Sequence, residues 1–80
     1  MAIAYQGNRM VFGEFVGVEE AEGLLDWLLK NPGAQADLSL CLHLHPANLQ
    51  VLMAAQVSVA QWPHDSELRF WLESVLRKED

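Results

Sequence analysis

Segments with the periodicity of a β-strand alternate along this chain with segments that have the periodicity of an α-helix. Ala2 to Gln6 and Met10 to Val16 have strand character and flank a turn sequence around Gly7, which predicts a hairpin. Strands that are separated by helices need crossover connections, which are right-handed and produce parallel pairing. We therefore predict an α/β domain of order ββαβαβα, with a mixed, mostly parallel sheet packed by helices.

The clearest predicted helix runs from Val18 to Lys30 and ends at Asn31-Pro32-Gly33. Its glutamates lie in the first turns and Lys30 in the last, as the helix dipole favours. The spacing i, i+3, i+4, i+7 predicts one buried stripe. This stripe comprises Val18, Ala21, Leu24, Leu25, Leu28 and Leu29.

The second half of the chain continues the alternation. Ala36 to Leu44 is predicted as a central strand, Pro46 to Ala55 as a helix with proline at its first position, and Val57 to Ala60 as a short strand. Asp65 or Ser66 is expected to cap a final helix that reaches roughly Arg77. In the first of these helices the predicted buried residues are Ala47, Leu49, Leu52 and Met53, or a neighbouring stripe. In the second, the predicted apolar side comprises Leu68, Trp71, Leu72, Val75 and Leu76.

Length and composition limit the size and partners of the protein. Residues 1–80 suffice for a single domain with little room for an enclosed active site. Eleven acidic and five basic residues give a formal net charge of −6, which disfavours nucleic acid and anionic membranes and favours a cationic protein partner.

The location of the protein is predicted from what its sequence lacks. The N-terminus does not have the pattern of a signal peptide, and no apolar segment reaches the ~20 residues that span a bilayer. Cys41 is the single cysteine, so an intramolecular disulfide is excluded. We therefore expect a cytoplasmic protein.

Polar and apolar residues alternate in the central segment from Asp37 to His45. As one extended strand, it would project Cys41, His43 and His45 from one face at steps of about 6.7 Å, and His64 could complete a zinc or copper site. The alternative is that Cys41 is a small buried hydrophobe and that the histidines lie at a strand end. We favour this alternative and expect no cofactor, because structural zinc sites normally draw four ligands from separate segments.

The sequence lacks the residue patterns of common catalytic sites. Its five glycines are scattered rather than gathered in a phosphate-binding loop. Alternation on one strand would hold Cys41 and His43 too far apart for a direct hydrogen bond, and the paired Glu19 and Glu20 lie at an exposed helix start. We therefore expect a protein that is not an enzyme.

Large aromatic residues occur where a single core cannot bury them all. Phe70 and Trp71 are adjacent in the final predicted helix, and Trp27 lies off the apolar stripe of the first. We expect at least one to be partly exposed. Such a residue either covers the edge of the core or anchors a partner interface.

The order of the elements and the central motif together resemble a STAS domain, the fold of sulfate-transporter tails and anti-sigma factor antagonists. Asp37-Leu38-Ser39 matches the end of the family's signature strand, and the segment 44–49 takes the place of the Asp-Ser-Ser-Gly-Leu-like element that opens its next helix. The segments 20–29 and 50–55 correspond to the family's first and second helices. The resemblance extends from about residue 10 to residue 76, and it implies that the strand ends near Cys41, with His43 in the following loop.

The chain departs from the family at the helix start. The serine that is phosphorylated in anti-sigma factor antagonists aligns with Ala47, next to Pro46, and neither residue has a hydroxyl group. His45 replaces the preceding aspartate and Asn48 replaces the glycine. The resemblance therefore implies an interaction module without the kinase switch.

In this family the partner docks on the loop and on the start of the second helix. Carried over by position, this partner-binding surface comprises His43, His45, Pro46, Ala47, Asn48 and Gln50. Because an unperturbed imidazole titrates near pH ~6.5, the two histidines would make binding pH-sensitive.

The function that we expect is that of a regulatory adaptor in a bacterial signalling system. Its partner would be a kinase, an anti-sigma-like protein or a STAS-like subunit. A homodimer with Trp27 or Phe70 at the seam is a further candidate. The alternative from another class is a small metal-binding protein that uses Cys41, His43 and His45.

Overall fold

Within residues 2–76, which the computed structural model describes, the chain forms a four-stranded sheet, a two-stranded sheet and three α-helices. The elements follow in this order: β1 (Ile3–Gln6), β2 (Arg9–Phe12), β3 (Phe15–Val16), α1 (Ala21–Lys30), β4 (Gln35–Asp37), β5 (His43–Leu44), α2 (Pro46–Ala54), β6 (Ser58–Gln61) and α3 (Ser66–Leu76). A 3₁₀ turn, Val18–Glu20, leads into α1.

The larger sheet has the strand order β1-β2-β4-β6. The hairpin β1-β2 is antiparallel, whereas β2 pairs with β4 and β4 pairs with β6 in parallel. Its four strands and the three helices alternate as ββαβαβα. The predicted α/β class with a mixed, mostly parallel sheet is therefore confirmed.

The predicted hairpin is present but its second strand is shorter than expected. Gly7 occupies the turn with φ of 61°, a left-handed conformation that favours glycine. The predicted strand from Met10 to Val16 breaks after Phe12, where the Gly13 N–H donates to the Ala2 carbonyl at 2.7 Å. Residues 15 and 16 then leave the main sheet and pair in parallel with β5 as a separate two-stranded sheet.

Helix α1 ends at Lys30 as predicted, but it buries a narrower stripe than predicted. Leu24 and Leu28 are buried, whereas Val18, Leu25 and Leu29 are exposed. Leu25 and Leu29 follow the buried leucines by one residue, which rotates them by about 100° around the helix axis. A short helix on a small sheet covers one row of side chains, and the second row faces solvent.

The later elements start close to their predicted positions. Helix α2 begins at Pro46 and ends one residue early, and Met53 is exposed rather than buried. The Asp65 side chain accepts the Leu68 N–H at 2.9 Å, so Asp65 caps α3 as expected. The predicted end of this helix at Arg77 lies outside the described residues.

The core lies between the larger sheet and the helices. Helices α1 and α2 contact each other, as expected for two crossover connections that step in the same direction across the sheet. The apolar residues of α3 divide between inside and outside, because Trp71 and Val75 are exposed. The buried sheet and α3 residues include Ile3, Met10, Phe12, Ala36, Leu68, Leu72 and Leu76.

Candidate protein-binding site

The central segment from Ala36 to Leu44 is not one strand, so this prediction was wrong. Strand β4 ends at Asp37, whose Oδ1 accepts the Ser39 N–H at 3.0 Å and the Ser39 hydroxyl at 2.8 Å. The Cys41 N–H then donates to the Leu38 carbonyl at 3.0 Å in a turn. An aspartate side chain can accept hydrogen bonds from a serine two residues later, and these local bonds compete with the hydrogen bonds that would continue the strand. The bond from the Ser39 N–H is the largest cause that holds the pKa of Asp37 below its usual range.

The break in the strand removes the alternating face. Leu38 and Leu44 are buried, but Leu40 and Leu42 are 59% and 50% exposed. The Cys41 side chain is buried and its Sγ donates to the His43 carbonyl at 3.5 Å. Burial raises the pKa of the Cys41 thiol to about 11, so the thiol stays protonated near neutral pH.

The three candidate metal ligands lie in different surroundings. Cys41 is buried, His43 is exposed, and His45 is half-buried at the start of α2. Within residues 2–76, no group of three or more His, Cys, Asp and Glu side chains is placed to hold a metal ion.

Backbone hydrogen bonds to the β3 region fix the segment that precedes α2. The N–H groups of Leu42 and His43 both donate to the Glu14 carbonyl at 2.9 Å, and the His45 N–H donates to the Val16 carbonyl at 2.9 Å. His43 therefore belongs to the short strand β5. The loop position that the resemblance implied for His43 is corrected, and so is the strand end near Cys41.

His45 serves as the N-cap of α2. Its Nδ1 accepts the Ala47 N–H at 3.0 Å, and Pro46 occupies the first turn, where its missing N–H leaves no unpaired donor. The imidazole thus does at this helix start what an aspartate or serine side chain does elsewhere.

Replacing His45 by alanine is expected to lower the free energy of unfolding by about 0.5–1.5 kcal/mol, because the Ala47 N–H loses its acceptor. The matched control is His43→Ala, an exposed residue whose change is expected to stay within about 0.5 kcal/mol. Urea unfolding followed by tryptophan fluorescence measures both. Equal losses in the two variants would show that the cap does not stabilise α2.

Asn48 is fully buried, so its predicted place on the partner-binding surface was wrong. Its Nδ2 donates to the Gly17 carbonyl at 2.8 Å and to the Val16 carbonyl at 3.4 Å. Its Oδ1 has no hydrogen-bond partner within residues 2–76. Asn48 therefore ties the first turn of α2 to the end of β3 and cannot contact a partner while the domain is folded.

The accessible part of the predicted surface borders a groove. His43, Pro46 and Gln50 are exposed, and Ala47 is half-buried. Two of these residues, His43 and Pro46, form one wall of the groove, and the start of α3 forms the other. The groove holds about 330 Å³ and is lined by Leu42, His43, Leu44, Pro46, Asp65, Glu67, Leu68 and Trp71, which together define the α2–α3 groove.

Sequence reasoning placed two of the eight lining residues, His43 and Pro46, at the site and missed the other six. It did not place Leu42, Asp65 or Glu67 at the site, because their proximity depends on the break in the central strand and on the packing of α3. The adjacency of Phe70 and Trp71 was the available signal. The expectation of an exposed aromatic is confirmed, since Phe70 is 77% exposed and Trp71 is 39% exposed.

Trp27, the tryptophan of helix α1, is not part of this groove. Trp27 is half-buried and packs against Tyr5, with ring centroids 4.7 Å apart and planes tilted by 38°. This pair covers the side of the sheet next to α1, as the core-edge interpretation expects.

Comparison with known proteins finds no matching family model, no similar curated protein and no similar solved structure. None of the helices within residues 2–76 has both the length and the apolar character that crossing a membrane requires.

Proposed function

We propose that this chain is a non-enzymatic interaction module of a bacterial signalling system, similar to a STAS domain but without its serine switch. The order ββαβαβα of the larger sheet and its helices supports the proposal. The residues at the start of α2, Pro46 and Ala47, have no hydroxyl group to phosphorylate. Binding is therefore constitutive, and it takes place in the cytoplasm with a kinase, an anti-sigma-like protein or a STAS-like subunit.

The observation that carries this proposal is the α2–α3 groove. Leu42 and Trp71 expose large apolar side chains at a concave surface, and they are 50% and 39% exposed. Tryptophan is enriched among the residues that dominate the binding energy of protein interfaces. Polar His43 and Glu67 lie beside the two apolar side chains.

The groove is better suited to a protein segment than to a reaction. Among its lining residues, the titratable side chains are His43, Asp65 and Glu67, and all three are exposed to solvent. Asp65 is engaged in capping α3. Active sites are usually enclosed clefts, and this open surface does not enclose its titratable groups.

The test is affinity capture from an extract of the source cells with the wild-type domain and two variants. Leu42→Asp places a carboxylate in the groove. Leu29→Asp is the matched control, because Leu29 is a leucine of α1 that is 72% exposed and does not line the groove. Thermal unfolding verifies that both variants fold.

We expect a protein that is retained by the wild type and by Leu29→Asp but lost from Leu42→Asp. A partner that is lost equally from both variants would place the interface elsewhere. The absence of any protein that distinguishes Leu42→Asp from the control would contradict the proposed function.

A further inference from the structure

We infer that the α2–α3 groove takes a short segment of a partner protein in which a large apolar side chain stands next to a lysine or arginine. This inference rests on the proposed function and adds the chemistry of the partner. It follows from two properties of the groove, its apolar floor and the sign of its charged residues.

The apolar part of the groove accepts one or two side chains. Leu42 and Pro46 lie on one wall and Trp71 lies on the other, with buried Leu44 and Leu68 behind them. A volume of about 330 Å³ is at the small end of ligand pockets, and the site is open to solvent. It therefore fits an inserted side chain of a partner better than an enclosed small molecule.

The charged part of the groove is negative. Asp65, just before α3, and Glu67, in its first turn, both line the groove. None of the lining residues is a lysine or arginine. The nearest basic residue along α3, Arg69, is engaged with Glu73 at 2.9 Å. A cationic side chain beside the apolar anchor would meet the carboxylate of Glu67 and could also lie over the Trp71 ring.

A second copy of this chain fits the groove less well. Each copy has a formal net charge of −6, so two copies repel each other at long range, and two of the carboxylates responsible lie at the groove itself. Nucleic acid and anionic lipid are disfavoured for the same reason. A basic partner segment is the occupant that this charge distribution attracts.

The probe is a displayed library of random twelve-residue peptides, selected on the wild-type domain and depleted on Leu42→Asp. We expect the remaining peptides to share a leucine, phenylalanine, methionine or tryptophan with a lysine or arginine within a few positions. The best peptide is then synthesised and titrated against the wild type and two charge-reversal variants.

The matched charge reversals are Glu67→Lys and Glu22→Lys. Both glutamates are exposed and lie in the first turn of a helix, so the two variants change the net charge and the helix end equally. Glu67→Lys is expected to weaken peptide binding about three- to tenfold, and more at low ionic strength, whereas Glu22→Lys stays within about twofold.

Four results would overturn this inference. Groove-dependent peptides without enriched basic residues would reject the partner chemistry, yet they would leave the proposed function intact if extract capture still depends on Leu42. Equal weakening by the two charge reversals would reject the role of Glu67. If the wild type is a dimer in sedimentation and Leu42→Asp dissociates it, a second copy would be the occupant. The absence of any groove-dependent peptide would also overturn the inference.

Discussion

Replacing Asn48 by aspartate is expected to lower the free energy of unfolding by about 3–5 kcal/mol at pH 7, since it puts an unpaired charge in the interior. An oxygen would take the place of the Nδ2 atom that donates to the Gly17 and Val16 carbonyls, so three acceptors would face one another. A domain of 80 residues has a total stability of roughly 4–12 kcal/mol, so much of this variant would be unfolded near the lower bound.

The pH dependence of the Asn48→Asp variant distinguishes this cause from a simple loss of packing. Burial next to two carbonyl groups raises the pKa of the new carboxyl above its value of ~3.9 in the unfolded chain. Its protonated form can donate to the Gly17 carbonyl. The loss in the free energy of unfolding, relative to wild type, is therefore expected to be small below about pH 4 and to grow as the pH rises through the folded-state pKa.

Two further substitutions serve as controls for Asn48. Asn48→Leu keeps the size of the side chain and removes the unpaired Oδ1, and the Val16 and Gly17 carbonyls keep their backbone donors from His45 and Glu20. Its loss is expected to be smaller than that of Asn48→Asp and independent of pH. Asn8→Asp, in the exposed turn of the hairpin, is expected to be neutral. Urea unfolding from pH 4 to 8 measures all three; a pH-independent loss in Asn48→Asp would contradict the buried position of this side chain.

Alanine substitution of the four leucines in the central segment is expected to give two very different results. Leu38→Ala and Leu44→Ala should each lower the free energy of unfolding by about 2–5 kcal/mol, because both side chains are buried. Leu40→Ala and Leu42→Ala should stay within about 0.5–1 kcal/mol, because at least half of each side chain is exposed.

This leucine series tests the break in the central strand. In one continuous strand, the four leucines would share a face and their substitutions would cost similar amounts. The turn at Asp37 and Ser39 instead separates Leu38 from Leu40. Equal losses at all four positions would therefore contradict the turn, and chemical denaturation of the four variants measures them.

Much of the fold could be predicted from the sequence, because its elements have strong local signals. Pro46 marked the start of α2, and Asp65 marked the start of α3 with a side chain that reaches the Leu68 N–H. The sequence Asn31-Pro32-Gly33 ended α1. These signals depend on residues that are close together in the sequence, so they can be recognised without knowledge of the tertiary structure.

The candidate site was less predictable because it depends on competition between local and distant contacts. Alternating leucines favoured a long strand, but the bonds from Ser39 to Asp37 end it early. Asn48 was placed on the surface by the resemblance alone. Its burial follows from the Val16 and Gly17 carbonyls, which lie 32 and 31 residues earlier in the chain.

The structure separates four of the six residues of the predicted partner-binding surface into two parts. His45 and Asn48 stabilise the start of α2 through hydrogen bonds. His43 and Pro46 remain accessible and join Leu42 and Trp71 in the α2–α3 groove. Substitutions in the first part should lower stability, and substitutions in the second should lower binding.

The most direct test of the proposed binding role is the dissociation constant of a partner captured from the source cells, measured by calorimetry against the wild type, Leu42→Asp and Leu29→Asp. The proposed role of the groove predicts that Leu42→Asp weakens binding about tenfold or more, because a charge replaces an apolar contact, while Leu29→Asp changes it less than about twofold. Equal dissociation constants for the wild type and Leu42→Asp would contradict the α2–α3 groove as the binding site.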